Sequence, residues 1–188
     1  MAVDTMVTRR RFTRAEYYRM VEVGILREND RIELIKGEIV EMSPIGRRHN
    51  AFVGNLTQLL VTRLAGRAIV WVQSSIALSE DTEPQPDFVV LRRDPVSYKD
   101  RDAWAEDALM VIEVADSSLA YDRSTKRRLY AEAGIPEYWL VDCTAEAVEV
   151  YRNPGPDGYR EVSRAAGTAT LTLLAFPGVE IAVAEVFA

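Results

Sequence analysis

The chain has 188 residues, about half of them apolar, which is enough to bury a sizeable core and within the usual size of one domain; residues 1–188 are read as one domain with 1–11 as a flexible N-terminal arm. One cysteine, Cys143, excludes an internal disulfide framework and a Cys-rich zinc site, no apolar run approaches the roughly 20 residues of a membrane span, and no apolar segment follows Arg9–Arg11, so a reduced, cytoplasmic protein is expected. The net charge of −6 opposes phosphate attraction, but the whole excess lies in residues 129–188, with nine acidic and three basic side chains; residues 1–128 are neutral and carry arginine-rich clusters at 9–11, 47–48, 92–93 and 126–128.

In chain order, "TRAE" at 13–16 is a capping-box pattern and predicts a short helix to about Val23. "RIELIKGEIVEMS" predicts a hairpin turning at Lys36–Gly37 and carrying Glu33, Glu38 and Glu41. From His49 to about Ala65, Phe52, Val53, Leu56, Leu59, Leu60 and Leu64 recur at helical spacing and predict an amphipathic helix. "AIVWVQSSIALS" reads as a strand broken near Ser74–Ser75 and "DFVVL" as the next. "ALMVIEVAD" has the continuous apolar character of a central strand, and residues 92–106 between them are polar loop.

A helix is expected over about Ser124–Ala133, ending at Gly134–Ile135–Pro136. "EYWLVD" and "AVEVYR" follow as strands, then a turn at "NPGPDG" before "YREVS". "ATLTLLAFPGVEIAVAEVFA" reads as a strand, a turn at Pro177–Gly178 and a closing piece. The order predicts an α/β or α+β domain around a mixed sheet.

Three residues carry the chemical argument. Asp87, fixed behind Pro86 at the mouth of an apolar strand, is either a turn former or a carboxylate held out for chemistry. Glu113 interrupts the run Leu109–Val114, and a buried carboxylate requires a metal ion, a cation or a proton. The period of two puts Leu109, Val111, Glu113 and Ala115 on one face, beside Asp87 if the two strands are neighbours. Lys126 opens the helical stripe Lys126, Leu129, Tyr130, Ala133, which leans it toward the sheet. Two carboxylates and a lysine converging in this way suit a divalent cation and an activated water.

"QPD" before an apolar strand, "VIEVADSS" and "YDRSTKRRLY" together resemble the PD-(D/E)XK nuclease superfamily, and within it the Uma-two family of restriction-endonuclease-like proteins. "RIELIKGEIVEMSP", "RRHN", "LSEDTEPQPDFVV" and "YAEAGIPEYWLVD" extend the likeness from about Phe12 to Phe187. The resemblance implies a restriction-endonuclease-like core, a mixed sheet flanked by helices with an N-terminal helix and hairpin. It further implies a Mg2+- or Mn2+-dependent endonuclease acting on DNA, and homodimerisation. Asp87 and Glu113 become metal ligands and Lys126 the motif lysine. Glu38 or Glu33 becomes an accessory acid, with His49 and Gln85 at further family positions. In the wider superfamily the lysine follows the glutamate by two residues, where Ala115 stands here; Lys126 must then reach the same space from the helix, or the site is degenerate. A non-catalytic binding or assembly module of the same fold, and a metal-independent hydrolase, remain alternatives.

Overall fold

The computed structural model describes residues 8–27 and 30–188; residues 1–7 of the expected arm lie outside them. Helix α1 (Arg14–Glu22) opens with the reciprocal bonds of the capping box: the Thr13 hydroxyl accepts from the Glu16 amide, and Glu16 accepts from the Thr13 amide at 3.0 Å. Its Arg14 is buried and pairs with Glu83, which also accepts from the Tyr18 hydroxyl.

Strands β1 (Ile32–Ile35) and β2 (Glu38–Glu41) form the expected hairpin. Lys36 and Gly37 both take positive φ, 49° and 76°, the conformation of a tight two-residue turn. Glycine is required at 37 for a second reason: a Cβ there would stand 2.5 Å from the Arg11 Cβ.

Helix α2 (Arg47–Arg63) turns Phe52, Val53, Leu56 and Leu60 onto the main sheet. That sheet has six strands, β3 (Ile69–Val72), β4 (Phe88–Leu91), β5 (Ala108–Ala115), β6 (Glu137–Asp142), β7 (Ala147–Gly155) and β8 (Gly158–Ala166), in that spatial order. Only the β5–β6 pair is parallel, because the helical segment between them is the sheet's one crossover of this kind. Alternate residues of the central strands enter two cores. Phe88, Val90, Met110, Ile112 and Trp139 face α2 and the closing hairpin, while Val89, Val111, Tyr138 and Leu140 face the opposite side. Each fully buried leucine or phenylalanine here contributes on the order of 1.5–3 kcal/mol.

Four local readings need correction. Leu91 pairs with Ala108 while Val90 pairs with Met110, so a bulge at Leu109 turns that side chain to the α2 side and removes it from the face of Val111, Glu113 and Ala115. The late helix starts before Ser124: α3 (Leu119–Tyr121) runs through a π-helical turn at Asp122–Lys126 into α4 (Arg127–Glu132). Strand β7 continues through Asn153–Gly155, so the reversal is confined to Pro156–Asp157. Pro177 and Gly178 lie inside β10 (Phe176–Ala182), in a stretch whose register with β9 (Thr170–Leu173) is shifted, and the chain reverses at Leu174–Ala175 instead. The chain closes with α5 (Val183–Val186).

The end of α4 follows expectation. Gly134 has φ of 77°, its amide donates to Ala131 and that of Ile135 to Tyr130, the paired bonds of a Schellman stop.

Candidate active site

The antiparallel register of β4 and β5, Phe88 opposite Ile112, brings Asp87 beside Glu113 one step further on. Asp87 is fixed at both oxygens. Oδ2 accepts from the Val114 amide at 2.8 Å, and Oδ1 from Gln73 Nε2 at 3.3 Å and from His49 Nε2 at 2.9 Å. The Asp87 amide lies 3.4 Å from Glu113 Oε2.

Lys126, 3% exposed, inserts its ammonium between two carboxylates, Glu33 Oε1 at 2.6 Å and Glu113 Oε1 at 3.0 Å. The π-helical turn is what permits this. An i→i+5 turn carries an extra residue, so Asp122 and Lys126 both point inward ahead of Leu129 and Tyr130. The Tyr130 hydroxyl donates to Glu113 Oε1 at 2.6 Å.

Glu33 and Glu38, equivalent candidates from sequence, separate clearly. Glu33 is 3% exposed and reaches the cluster because β1 pairs at Leu34 with Glu83; its Oε1 also accepts from the Gln85 amide at 2.7 Å. Glu38 faces outward, near Arg9 and Arg11 at 3.7 Å each. Gln85 contributes that amide, while its side chain turns to the Gln73 carbonyl, 2.8 Å away. His49 comes from the first turn of α2, and its Nδ1 is buried with no partner among the described residues.

Asp122 is the residue sequence reasoning missed. It is buried at the pocket wall and accepts from the Ser118 hydroxyl at 2.5 Å. Its position four residues before Lys126 was the available signal. Tyr130 is fully buried in the core and is also a hydrogen-bond donor to the site.

Around these groups lies a cavity of about 400 Å³, walled by β2, the segment 42–46 and the start of the late helical segment. Six acidic residues line it, Glu33, Glu41, Asp87, Glu113, Asp116 and Asp122, against the cations Arg31 and Lys126, so acidic groups outnumber basic ones. Burial, reinforced by Asp122, Asp87 and Glu33 and opposed by Lys126, pushes the Glu113 carboxyl up to about 8. Asp122 rises to about 6, mainly by burial, against its Ser118 bond and Lys126. Burial works against the Lys126 charge, but Glu113 and Glu33 outweigh it and raise its pKa, keeping it protonated. Burial likewise works against His49, and the bond and charge of Asp87 overcome it, raising the imidazole.

Among the described residues, no three or more His, Cys, Asp or Glu side chains stand arranged to hold a metal ion. The donor chemistry nevertheless suits a hard cation: the carboxyl groups lining the cavity are oxygen ligands that outnumber its cations, and magnesium commonly takes only one or two while keeping its waters. Among the described residues no helix is long and apolar enough to cross a membrane.

The fold has a close counterpart in a solved chain from Anabaena variabilis, described as a putative nuclease belonging to DUF820. It superimposes with a TM-score of 0.74 at 18% identity, over 94% of this chain and 97% of that one. The type IIG restriction endonuclease BpuSI overlaps much less, with a TM-score of 0.40 over 63% of this chain and 14% of its own, again at 18% identity. The uncharacterized protein sll1609 of Synechocystis sp. is 25% identical over 155 residues, 80% of this chain and 85% of that protein. The family model Uma2, described as "Putative restriction endonuclease", matches residues 14–184, and this mixed-sheet, nuclease-like protein therefore belongs to the Uma2 family.

Proposed function

We propose that the chain is a metal-dependent endonuclease that hydrolyses phosphodiester bonds in DNA. The observation that carries the reading is the convergence of Asp87, Glu113 and Lys126, from two strands and a helical segment, on one acidic cavity. Asp87 and Glu113 are the residues that would hold Mg2+ or Mn2+. Such a cation, when bound, lowers the pKa of its water and neutralises charge on the scissile phosphate.

The remaining work falls to the chain's own groups. An ammonium has three N–H donors, and Lys126 spends two on Glu33 and Glu113. The third is available to orient an attacking water or to stabilise the pentacoordinate phosphorane. Glu33 acts as the accessory acid by fixing where that ammonium stands. Tyr130 holds Glu113 in one orientation, and His49 and the Val114 amide do the same for Asp87. These supports come from packed elements, which suits a preorganised site.

Plasmid nicking in the presence of Mn2+ tests the proposal, comparing the native chain with Asp87→Asn and Lys126→Ala variants of unchanged fold. Nicking by the native chain and its loss in both variants is the expected result. Absence of nicking in all three favours a non-catalytic binding module, and nicking without metal favours a carboxylate-only hydrolase. Dimerisation, proposed from the superfamily's habit, is checked by light scattering on the purified chain.

A further inference from the structure

At the end of the sheet opposite the acidic cavity lies a groove of about 520 Å³ with a different character. Leu109, Leu174 and Phe176 form its floor, and Arg67, Arg92 and Arg93 stand exposed around it. The three guanidinium groups are held but not neutralised. Arg67 donates to the Arg63 carbonyl at 2.8 Å and lies over the Phe176 ring, 5.1 Å from its centre. Arg93 donates to the Gly66 carbonyl at 3.0 Å, and Arg92 Nε reaches the Glu106 carbonyl at 3.4 Å.

Each anchor is a neutral main-chain oxygen, and no carboxylate among the described residues forms an ion pair with any of the three. Asp107 is close enough to feel Arg92, but Arg101 occupies both its oxygens at 2.7 and 2.8 Å. In a chain with a net charge of −6, three oriented and uncompensated guanidiniums on one groove are unexpected as ordinary solvated surface.

We propose that the groove of Arg67, Arg92 and Arg93 is a phosphate-backbone docking site for nucleic acid, separate from the acidic cavity. Each planar guanidinium has free N–H donors for bidentate phosphate recognition, and neutralising the backbone releases counterions. The choice of nucleic acid over an acidic peptide rests on the proposed nuclease activity. Asp87 and Arg92 are five residues apart, roughly 17 Å along an extended strand. A duplex strand covers that distance in about five phosphates, a lower limit on a substrate that engages both regions.

The test uses the full chain carrying Asp87→Asn, so that DNA is not cut, and fluorescence anisotropy of a labelled duplex over a KCl series. The triple change Arg67→Ala, Arg92→Ala, Arg93→Ala is expected to weaken binding and to flatten the plot of log affinity against log salt by about 2–3, at roughly 0.9 for each phosphate no longer neutralised. A triple Arg→Lys variant is expected to keep most of the slope, because charge is retained. An unchanged slope in the alanine variant overturns the proposal. So does an oligoglutamate peptide that binds the groove as tightly as the duplex, which would assign it to a protein partner. A slope change alongside absence of nicking by the Mn2+-supplied native chain would retain the groove and sink the nuclease reading, so the two fail separately.

Discussion

Replacing Lys126 by methionine keeps much of the side-chain volume and removes the ammonium from between Glu33 and Glu113. At 2.6 and 3.0 Å, and with an effective dielectric of about 20, the two pairings supply roughly 6 kcal/mol of attraction each. Most of that is offset in the native chain by the cost of burying the lysine, several kcal/mol per ion. With both carboxylates ionised, the expected loss on Lys126→Met is therefore about 3–5 kcal/mol, the usual range for orphaning buried charge.

The pH dependence fixes the sign. Glu113 has a folded pKa raised to about 8 by burial and its acidic neighbours, and Lys126 is the charge that opposes the rise. A carboxyl whose pKa is raised on folding holds its proton more tightly in the folded state, so its contribution to stability falls as pH climbs from the unfolded value toward the folded one. Removing Lys126 raises that pKa further. Well below pH 8 Glu113 keeps its proton in the folded native chain and the folded variant alike, so its part of the deficit should be small at neutral pH and below and grow by up to about 1.4 kcal/mol per pH unit only as pH rises through about 8 and beyond.

Urea unfolding of the native chain and the variant between about pH 5 and about pH 9.5 measures it, with EDTA present so that no metal substitutes for the ammonium. A deficit independent of pH over that range, or a variant as stable as the native chain at its alkaline end, would refute the buried-pair reasoning. Added Mn2+ should then recover part of the loss, because a cation that binds only the folded acidic cavity stabilises it by mass action.

The other expectations concern activity and metal. Glu33→Gln should lower the nicking rate roughly 10²-fold by releasing Lys126, within the range for losing an oriented electrostatic group, whereas Glu38→Gln, on the exposed side of the hairpin, should leave it unchanged; single-turnover nicking separates them. His49→Ala removes a bond to Asp87 and should weaken Mn2+ binding by roughly 10–100-fold, read by isothermal titration calorimetry of the metal alone. Dialysis against EDTA should abolish nicking, and Mg2+ or Mn2+, but not monovalent salt, should restore it. Leu56→Ala, at a fully buried position of α2, should cost about 2–5 kcal/mol in urea unfolding while leaving Mn2+ affinity of the folded chain within about twofold.

Sequence was informative wherever the determining chemistry is local. The Thr13–Glu16 capping box, the turn at Lys36–Gly37 and the stop at Gly134 depend on side chains and backbone conformations within a few residues. Each is found where the residue types required it. The apolar stripe of α2 and the continuous run of β5 were legible for a related reason, since burial on one or two faces dictates composition at a fixed period.

What tertiary structure decided were the places where the period breaks or where a face must choose a neighbour. The bulge at Leu109 and the π-helical turn at Asp122–Lys126 each shift the phase of an element by one residue, and no repeating pattern of apolar residues records such an insertion. Glu33 and Glu38 have similar local surroundings in the sequence. Only the docking of β1 beside Glu83 turns the first into the acidic cavity and leaves the second half-exposed on the hairpin beside Arg9 and Arg11. Asp122 stayed hidden for the same reason: a carboxylate near a helix start resembles solvated surface until the fold closes over it, and burial is a property of the whole chain's packing.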